Sequence, residues 1–476
     1  MSPGDRPSFR RKLLLQFRVP VRGVSVRATA AAVLALAAAL PTVASAQGRP
    51  DLVAQSLRDS TKRFVPGEVI VQFRPEASEQ QKAAILGRLE GRVVRDLRLR
   101  DQRRDGRGDL HVARVGSGLA MQTLLNRLQA EALVDFAEPN WIVTRDATSD
   151  DPIFTSGGLW GMYGADTTPA NQWGSGAANA WAEGKTCSSS VMVAVIDEGA
   201  MHTHRDLAGQ FWTNPFDPEN GVDDDGNGYV DDIRGWDFVG DDNTTFDGRG
   251  DDHGTHVAGT IGAKGGNAQG VAGMCWNITM ISAKFLGTSG GTTADAILAV
   301  DYVTDLKTRH GLNLVASNNS WGGGGFSTGL KDAITRAGAA DILFVASAGN
   351  SGANADVSPS YPAAYDNANI ISVAMITSSG NLNGSSNYGL VSVDLGAPGT
   401  SVQSTVPGRR GRSAYASYTG TSMAAPHVTG AVAMYKSLNP GATAPQIKAA
   451  ILAATIPTPS LAGKTVTGGR LDVSGF

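Results

Sequence analysis

A serine hydroxyl attacks a carbonyl well only when a base takes its proton. An imidazole is a good base when a carboxylate fixes its tautomer and stabilises its charge. In this 476-residue chain Asp197, His253 and Ser422 have the types and surroundings for those roles. Val193-Ala194-Val195-Ile196 runs straight into Asp197-Glu198-Gly199, Asp252-His253-Gly254-Thr255-His256 precedes Val257-Ala258-Gly259, and Gly420-Thr421-Ser422 precedes Met423-Ala424-Ala425-Pro426. A serine at a helix amino terminus has free backbone N–H groups and the positive end of the dipole beside it, where negative charge would develop. Asn350, after another apolar run, offers one more N–H. Met singly, an Asp, His or Ser is a cap, a surface group or a satisfied core residue, so the weight lies in the combination.

These residues need elements to position them. Residues 191–196, 278–286, 313–319, 342–346 and 370–374 are apolar runs of strand length, and 293–309, 330–339, 422–438 and 444–454 have helical spacing. The alternation predicts an α/β sandwich, a mainly parallel sheet with helices on both faces. Ligands bind such sheets at the carboxyl ends of the strands. Ser320-Trp321-Gly322 and Ala348-Gly349 reach that same edge. Upstream, strand patterns at 67–73 and 111–115, helical ones at 79–89 and 121–130, and a closing strand at 137–143 predict a small α+β unit over about residues 63–143.

Composition agrees with two folded units and a leader. A 41% hydrophobic share with 18% charged residues suits a soluble globular protein. The net charge of -3 hides an asymmetry: residues 1–147 hold 24 Lys/Arg against 15 Asp/Glu, and the rest holds 17 against 29. An acidic main body excludes nucleic acid as a natural partner, and its field attracts the more basic upstream unit. Residues 1–46 read as a secretory signal peptide: basic residues, an Ala/Leu/Val run too short to span a bilayer, and Ala44-Ser45-Ala46 as a small-residue cleavage site. Arg10-Arg11 lies far from the apolar run for twin-arginine export. A secreted or periplasmic protein without a stable membrane anchor is expected.

The blocks Val195-Ile196-Asp197-Glu198-Gly199, His253-Gly254-Thr255-His256-Val257-Ala258-Gly259-Thr260 and Gly420-Thr421-Ser422-Met423-Ala424-Ala425-Pro426-His427 resemble the three signature blocks of subtilases, in their order of Asp, His, Ser. Ala348-Gly349-Asn350 stands between the last two, and residues 67–143 resemble the subtilase propeptide. The resemblance implies a serine endopeptidase made as a self-processing precursor, with a propeptide over 47–147 that inhibits it and a peptidase domain over 148–476. It implies Asp197 as orienting carboxylate, His253 as base and acid, Ser422 as nucleophile and Asn350 as oxyanion donor. Ser320, Trp321, Gly322, Ala348 and Gly349 would flank a polypeptide substrate held as an added strand. The reaction needs no catalytic cofactor, and a monomer is expected. Glu198 departs from the pattern, since subtilases usually carry Ser or Thr there. A sedolisin would have Glu for His253 and Asp for Asn350; a peptide ligase would share the triad and differ in its products; an inactive binding module would not need an intact triad.

Asp223, Asp225, Asn227, Gly228 and Asp231 keep the spacing of an EF-hand-type calcium loop, with the Tyr229 carbonyl at the seventh place. Arg234 occupies the twelfth place, where Glu is expected, and a solvated acidic turn is the plain alternative. A second, subtilisin-like calcium site would use Asp206, although residues 264–270 look short for the binding loop. Cys187 and Cys275 each precede a strand, and the resemblance makes those strands neighbours, so one disulfide is expected; two buried thiols are the alternative.

Overall fold

The computed structural model describes residues 49–58, 64–97, 108–116, 118–141 and 149–476. The expected leader, the propeptide end near residue 147 and the last residues of the strand expected at 137–143 lie outside them. The chain divides into two compact units, Met1–Trp141 and Ile142–Phe476.

The first unit contains α1 (Pro50–Arg58), β1 (Phe64–Phe73), α2 (Glu79–Gly87), β2 (Gly91–Asp96), β3 (Leu110–Val115), α3 (Met121–Gln129) and β4 (Val134–Trp141). Its sheet runs β2-β3-β1-β4, antiparallel throughout. Val69, Val71 and Phe73 alternate inward against Ile85 and Leu86 of α2 and Leu124, Leu125 and Leu128 of α3, so the helices cover one sheet face. Ser78 starts α2 with a capping box, its hydroxyl accepting from Gln81 N while the Gln81 side chain accepts from Ser78 N.

The second unit begins with the short helices α4 (Pro152–Thr155) and α5 (Ala177–Ala182), then β5 (Met192–Asp197), β6 (Gly235–Asp237), α6 (Asp252–Gly262), β7 (Thr279–Lys284), α7 (Thr293–His310), β8 (Leu314–Asn319), α8 (Thr328–Ala339) and β9 (Leu343–Ser347). There follow β10 (Ile370–Ile376), β11 (Leu395–Pro398), β12 (Val402–Pro407), β13 (Ser413–Tyr418), α9 (Thr421–Leu438), α10 (Ala444–Ala453), β14 (Ile456–Pro457) and β15 (Gly469–Arg470). Nine strands form one sheet in the order β14-β15-β11-β10-β9-β8-β5-β7-β6, parallel except for the β14/β15 pair.

Strand alternation builds two cores. Val193 and Val195 of β5 and Leu343 and Val345 of β9 pack with Val257, Ile261, Val428 and Val432 of α6 and α9. Met192, Ala194, Ile196, Phe344 and Ala346 face the other way, toward Val300, Val303, Leu330 and Ile334 of α7 and α8. A strand buried on both faces reads as a nearly continuous apolar run, which is why these segments stood out in the sequence. Cys187 and Cys275 are joined, with Cα atoms 5.2 Å apart. They precede the paired strands β5 and β7, as the topological reading anticipated.

Candidate active site

Asp197 ends β5 and is wholly buried. His253 is the second residue of α6, and its Nδ1 lies 2.9 Å from Asp197 Oδ1, with the imidazole 30% exposed. The helix comes this close to the strand end only because residue 254 is glycine, where a Cβ would stand 2.1 Å from Gly199 O. Burial alone would lower the His253 pKa, but the Asp197 charge and hydrogen bond, followed by the Glu198 charge, outweigh it and hold the ring above its ordinary range. Burial takes His256 down to about 3 and His427 down to about 4, so both stay neutral near neutrality. Backbone carbonyls hold these two: those of Val402 and Ala416 for His256, and that of Met423 for His427.

Ser422 is the second residue of α9. Pro426 has no N–H to give the carbonyl four residues back, which is that of Ser422. Ser320 Oγ donates to this free carbonyl at 2.8 Å, and Ser422 Oγ donates to Ser320 O at 3.0 Å. The clasp ties the start of α9 to the end of β8. In this state the Ser422 hydroxyl is directed to Ser320, and no hydrogen bond joins it to His253 among the described residues.

Asn350 follows β9. Its Oδ1 accepts from Thr421 N at 2.8 Å and from Thr421 Oγ1 at 3.1 Å, which fixes the amide orientation and leaves Nδ2 to donate elsewhere. A point built at a Gly420 Cβ is 3.6 Å from both Asn350 Nδ2 and Ser422 N and 3.7 Å from Asn350 Oδ1, so the Asn350 amide lies beside the start of α9.

Ser320, Trp321 and Gly322 continue β8, and Ala348 and Gly349 continue its neighbour β9. Trp321 packs edge-on against Phe285, ring centroids 4.8 Å apart. Ser360 lies between the two segments: a Cβ on Gly349 would stand 3.0 Å from its Oγ, and one on Gly322 3.7 Å from it. Gly349 also needs φ +104, a region that favours glycine. Asn387 holds the second segment, donating to Ala348 O at 2.9 Å and accepting from Ser351 and Ala353 N–H groups. Neither Ser360 nor Asn387 stood out in the sequence, for each sits in irregular chain far from any signature block.

The acidic loop is curled by its own carboxylates. Asp223 accepts from the N–H groups of Asn227 and Gly228, and Asp225 accepts from Asn227 N and pairs with His310 Nε2 at 2.8 Å. Asn227 Oδ1 accepts from Tyr229 N, whose ring packs among Trp236, Phe238 and Tyr302. Asp231 turns to the N–H groups of Asn220 and Gly221. Asp217 and Asp232 are wholly buried beside the loop, and burial pushes Asp232 up to about 6. A second acidic pair surrounds residues 264–270: Asp206 accepts from Val271 N, Asn267 Nδ2 and Tyr415 Oη, and buried Asp151 accepts from the N–H groups of Gly266, Asn267 and Gln269. Asp151 was not singled out in the sequence. No cluster of three or more Asp, Glu, His or Cys side chains poised on a common metal position is present among the described residues.

Comparison with known proteins agrees with this geometry. Residues 188–471 match the subtilase family model, and residues 53–140 match that of the fervidolysin N-terminal prodomain. A thermophilic serine proteinase of Bacillus sp. strain AK1 is 32% identical over 79% of each chain. Thermitase of Thermoactinomyces vulgaris is 35% identical over 64% of this chain and 90% of its own. A solved protease structure from Pseudoalteromonas arctica superposes with a TM-score of 0.53 at 27% identity, covering 68% of this chain and 97% of the other. The chain therefore belongs to the subtilase family and is a subtilisin-like serine protease with an N-terminal prodomain.

Proposed function

We propose that the protein is a secreted endopeptidase that cuts polypeptides through an acyl-enzyme on Ser422. The observation that carries this reading is the His253–Asp197 contact at the sheet edge, near which the Asn350 amide is hydrogen-bonded to Thr421 at the start of the helix that bears Ser422. Rotation about the Ser422 Cα–Cβ bond takes its hydroxyl from Ser320 O to His253. His253 Nε2 then accepts the proton as Oγ attacks the peptide carbonyl, and Ser422 N with Asn350 Nδ2 donates to the oxyanion. His253 returns the proton to the leaving amine, and a water activated in the same way releases the acid. The substrate backbone adds as a strand beside residues 320–322 and 348–349, so affinity comes from main-chain hydrogen bonds and selectivity from side-chain pockets.

Calcium in this reading is structural. The residues that fit it by donor type are Asp223, Asp225, Asn227, Asp231 and the Tyr229 carbonyl, with Asp217 and Asp232 buried beside them; Asp206 with Asp151 forms the second candidate. The support is that no Lys or Arg pairs with Asp217, Asp223, Asp232, Asp151 or Asp206 among the described residues, while Asp217, Asp232, Asp151 and Asp206 are wholly buried.

Secretion rests on the leader at residues 1–46, and self-processing on the prodomain preceding an intact set of reacting groups. Replacement Ser422→Ala tests both, being expected to yield a secreted precursor that keeps its prodomain. Normal maturation of that variant in a protease-deficient host would show that another enzyme makes the cut.

A further inference from the structure

The residue after Asp197 does something the usual Ser or Thr is too short to do. Glu198 Oε1 accepts the backbone N–H of His253 in the first turn of α6. That N–H would otherwise be an orphan donor, because the N-cap residue Asp251 makes no capping bond. The Asp251 carboxylate is instead taken by Lys284 Nζ at 2.8 Å and Asp247 N at 2.5 Å. One dipeptide thus grips His253 twice, Asp197 at the ring and Glu198 at the backbone. Because 197 and 198 are bonded neighbours, the start of α6 cannot move away from the end of β5 without breaking both contacts.

The grip also brings a second carboxylate to the base, and little around it cancels the charge. Asp252 adds further negative charge from α6, and its Oδ2 accepts the Tyr418 hydroxyl from β13. His256, stacked on Tyr418 with centroids 4.5 Å apart, is neutral. Lys284, from the end of β7, is already bridged to Asp247 and Asp251. Burial first, and the Asp197 charge second, push Glu198 up to about 7, so it titrates in the range where a histidine base works.

We propose that Glu198 is a positioning residue for the reaction, holding His253 by its backbone while its charge sets the pH at which the imidazole is free to act as base. An ionised Glu198 favours the imidazolium, so the base is released only at higher pH and the acid limb of activity lies further toward neutral. The inference rests on the base role proposed for His253.

The test reads the His253 ring by NMR titration in the full-length Ser422→Ala protein, which needs no self-processing, and the acid limb of kcat/KM in the mature enzyme. Glu198→Gln keeps an acceptor for the His253 N–H and removes the charge. Both the ring titration and the limb should move to lower pH by at least about half a unit, with plateau kcat within about threefold of wild type. Glu198→Asp keeps the charge and shortens the reach: its titration should stay in place while plateau kcat falls about tenfold, and it decides the matter should the Gln variant fail to accumulate. A Gln variant whose titration superimposes on the parent, or an Asp variant with an unchanged plateau, overturns the proposal. A wild-type acid limb that does not follow the His253 titration would instead remove the base assignment itself.

Discussion

The catalytic edge and the acidic loop both hold carboxylates that solvent barely reaches, and they compensate them differently. At the edge Asp197 faces an imidazole able to carry positive charge. Beside the loop, Asp217 and Asp232 accept, among the described residues, only from neutral donors: backbone N–H groups, Asn side chains and the Tyr302 hydroxyl. At the edge Asp197 thus has a charge-bearing partner within the chain. Apart from Asp225, which pairs with His310, the loop leans on dipoles, and its stability is open to a cation. Damage to the edge should therefore appear in rates, and damage to the loop in stability.

The largest expected effect is on rate. Asn350→Leu should lower kcat about a hundred- to a thousandfold with little change in KM or melting temperature, a magnitude measured for the corresponding donor of subtilisin and carried over here. Near-normal turnover would remove Asn350 from the oxyanion site. Next comes the amino end of the sheet, where Cys187→Ala with Cys275→Ala should cost about 2–4 kcal/mol of stability by freeing an 88-residue loop in the unfolded chain, with kcat unchanged. A matching fall in kcat would mean that the bridge also shapes the active edge.

The loop should yield a smaller effect that depends on conditions. Calcium at a hundred times its dissociation constant stabilises by about 2.7 kcal/mol, so chelation should lower the melting temperature without altering the chemistry. Asp223→Asn with Asp225→Asn should abolish that response; if the response survives, the ion sits elsewhere, and Asp206→Asn is the next variant to examine. A pH-dependent effect on stability comes from the helices that carry the reacting groups. His256 and His427 are held neutral by burial, down to about 3 and about 4 from an ordinary 6.5, so at these two sites the unfolded chain binds more protons than the folded one across that window, while Glu198 and Asp232, pushed up to about 7 and about 6, act in the opposite sense. The two histidines should therefore lower stability as pH drops from about 6.5 toward 4, and calorimetry across that range checks this as a flatter fall in a His427→Gln variant than in its parent.

Much of this was readable in advance, because the chemistry sits where apolar runs stop. β5 and β9 are buried on both faces and show as nearly continuous apolar runs, β8 is apolar until the buried Ser317, Asn318 and Asn319, and Asp197, Ser320 and Asn350 lie at or just beyond the strand ends. β2 was missed because nearly all its residues are exposed and show no alternation. The β12/β13 hairpin was missed because its polar residues are specified by distant partners, with Ser404 and Thr405 donating to carbonyls of α6. Ser360, Asn387 and Asp151 act through tertiary contacts that no local spacing reveals. The Ser320–Ser422 clasp had a visible cue in Pro426, whose missing N–H leaves a helix carbonyl in need of a donor.

The central claim is that one hydroxyl, that of Ser422, does the covalent chemistry. A serine-directed fluorophosphonate applied to the mature secreted protein, followed by peptide mapping, tests it most directly. The account predicts a single adduct on Ser422, parallel loss of peptide hydrolysis, and no labelling of the Ser422→Ala protein. An adduct on another residue, or full hydrolysis after complete modification of Ser422, would contradict it.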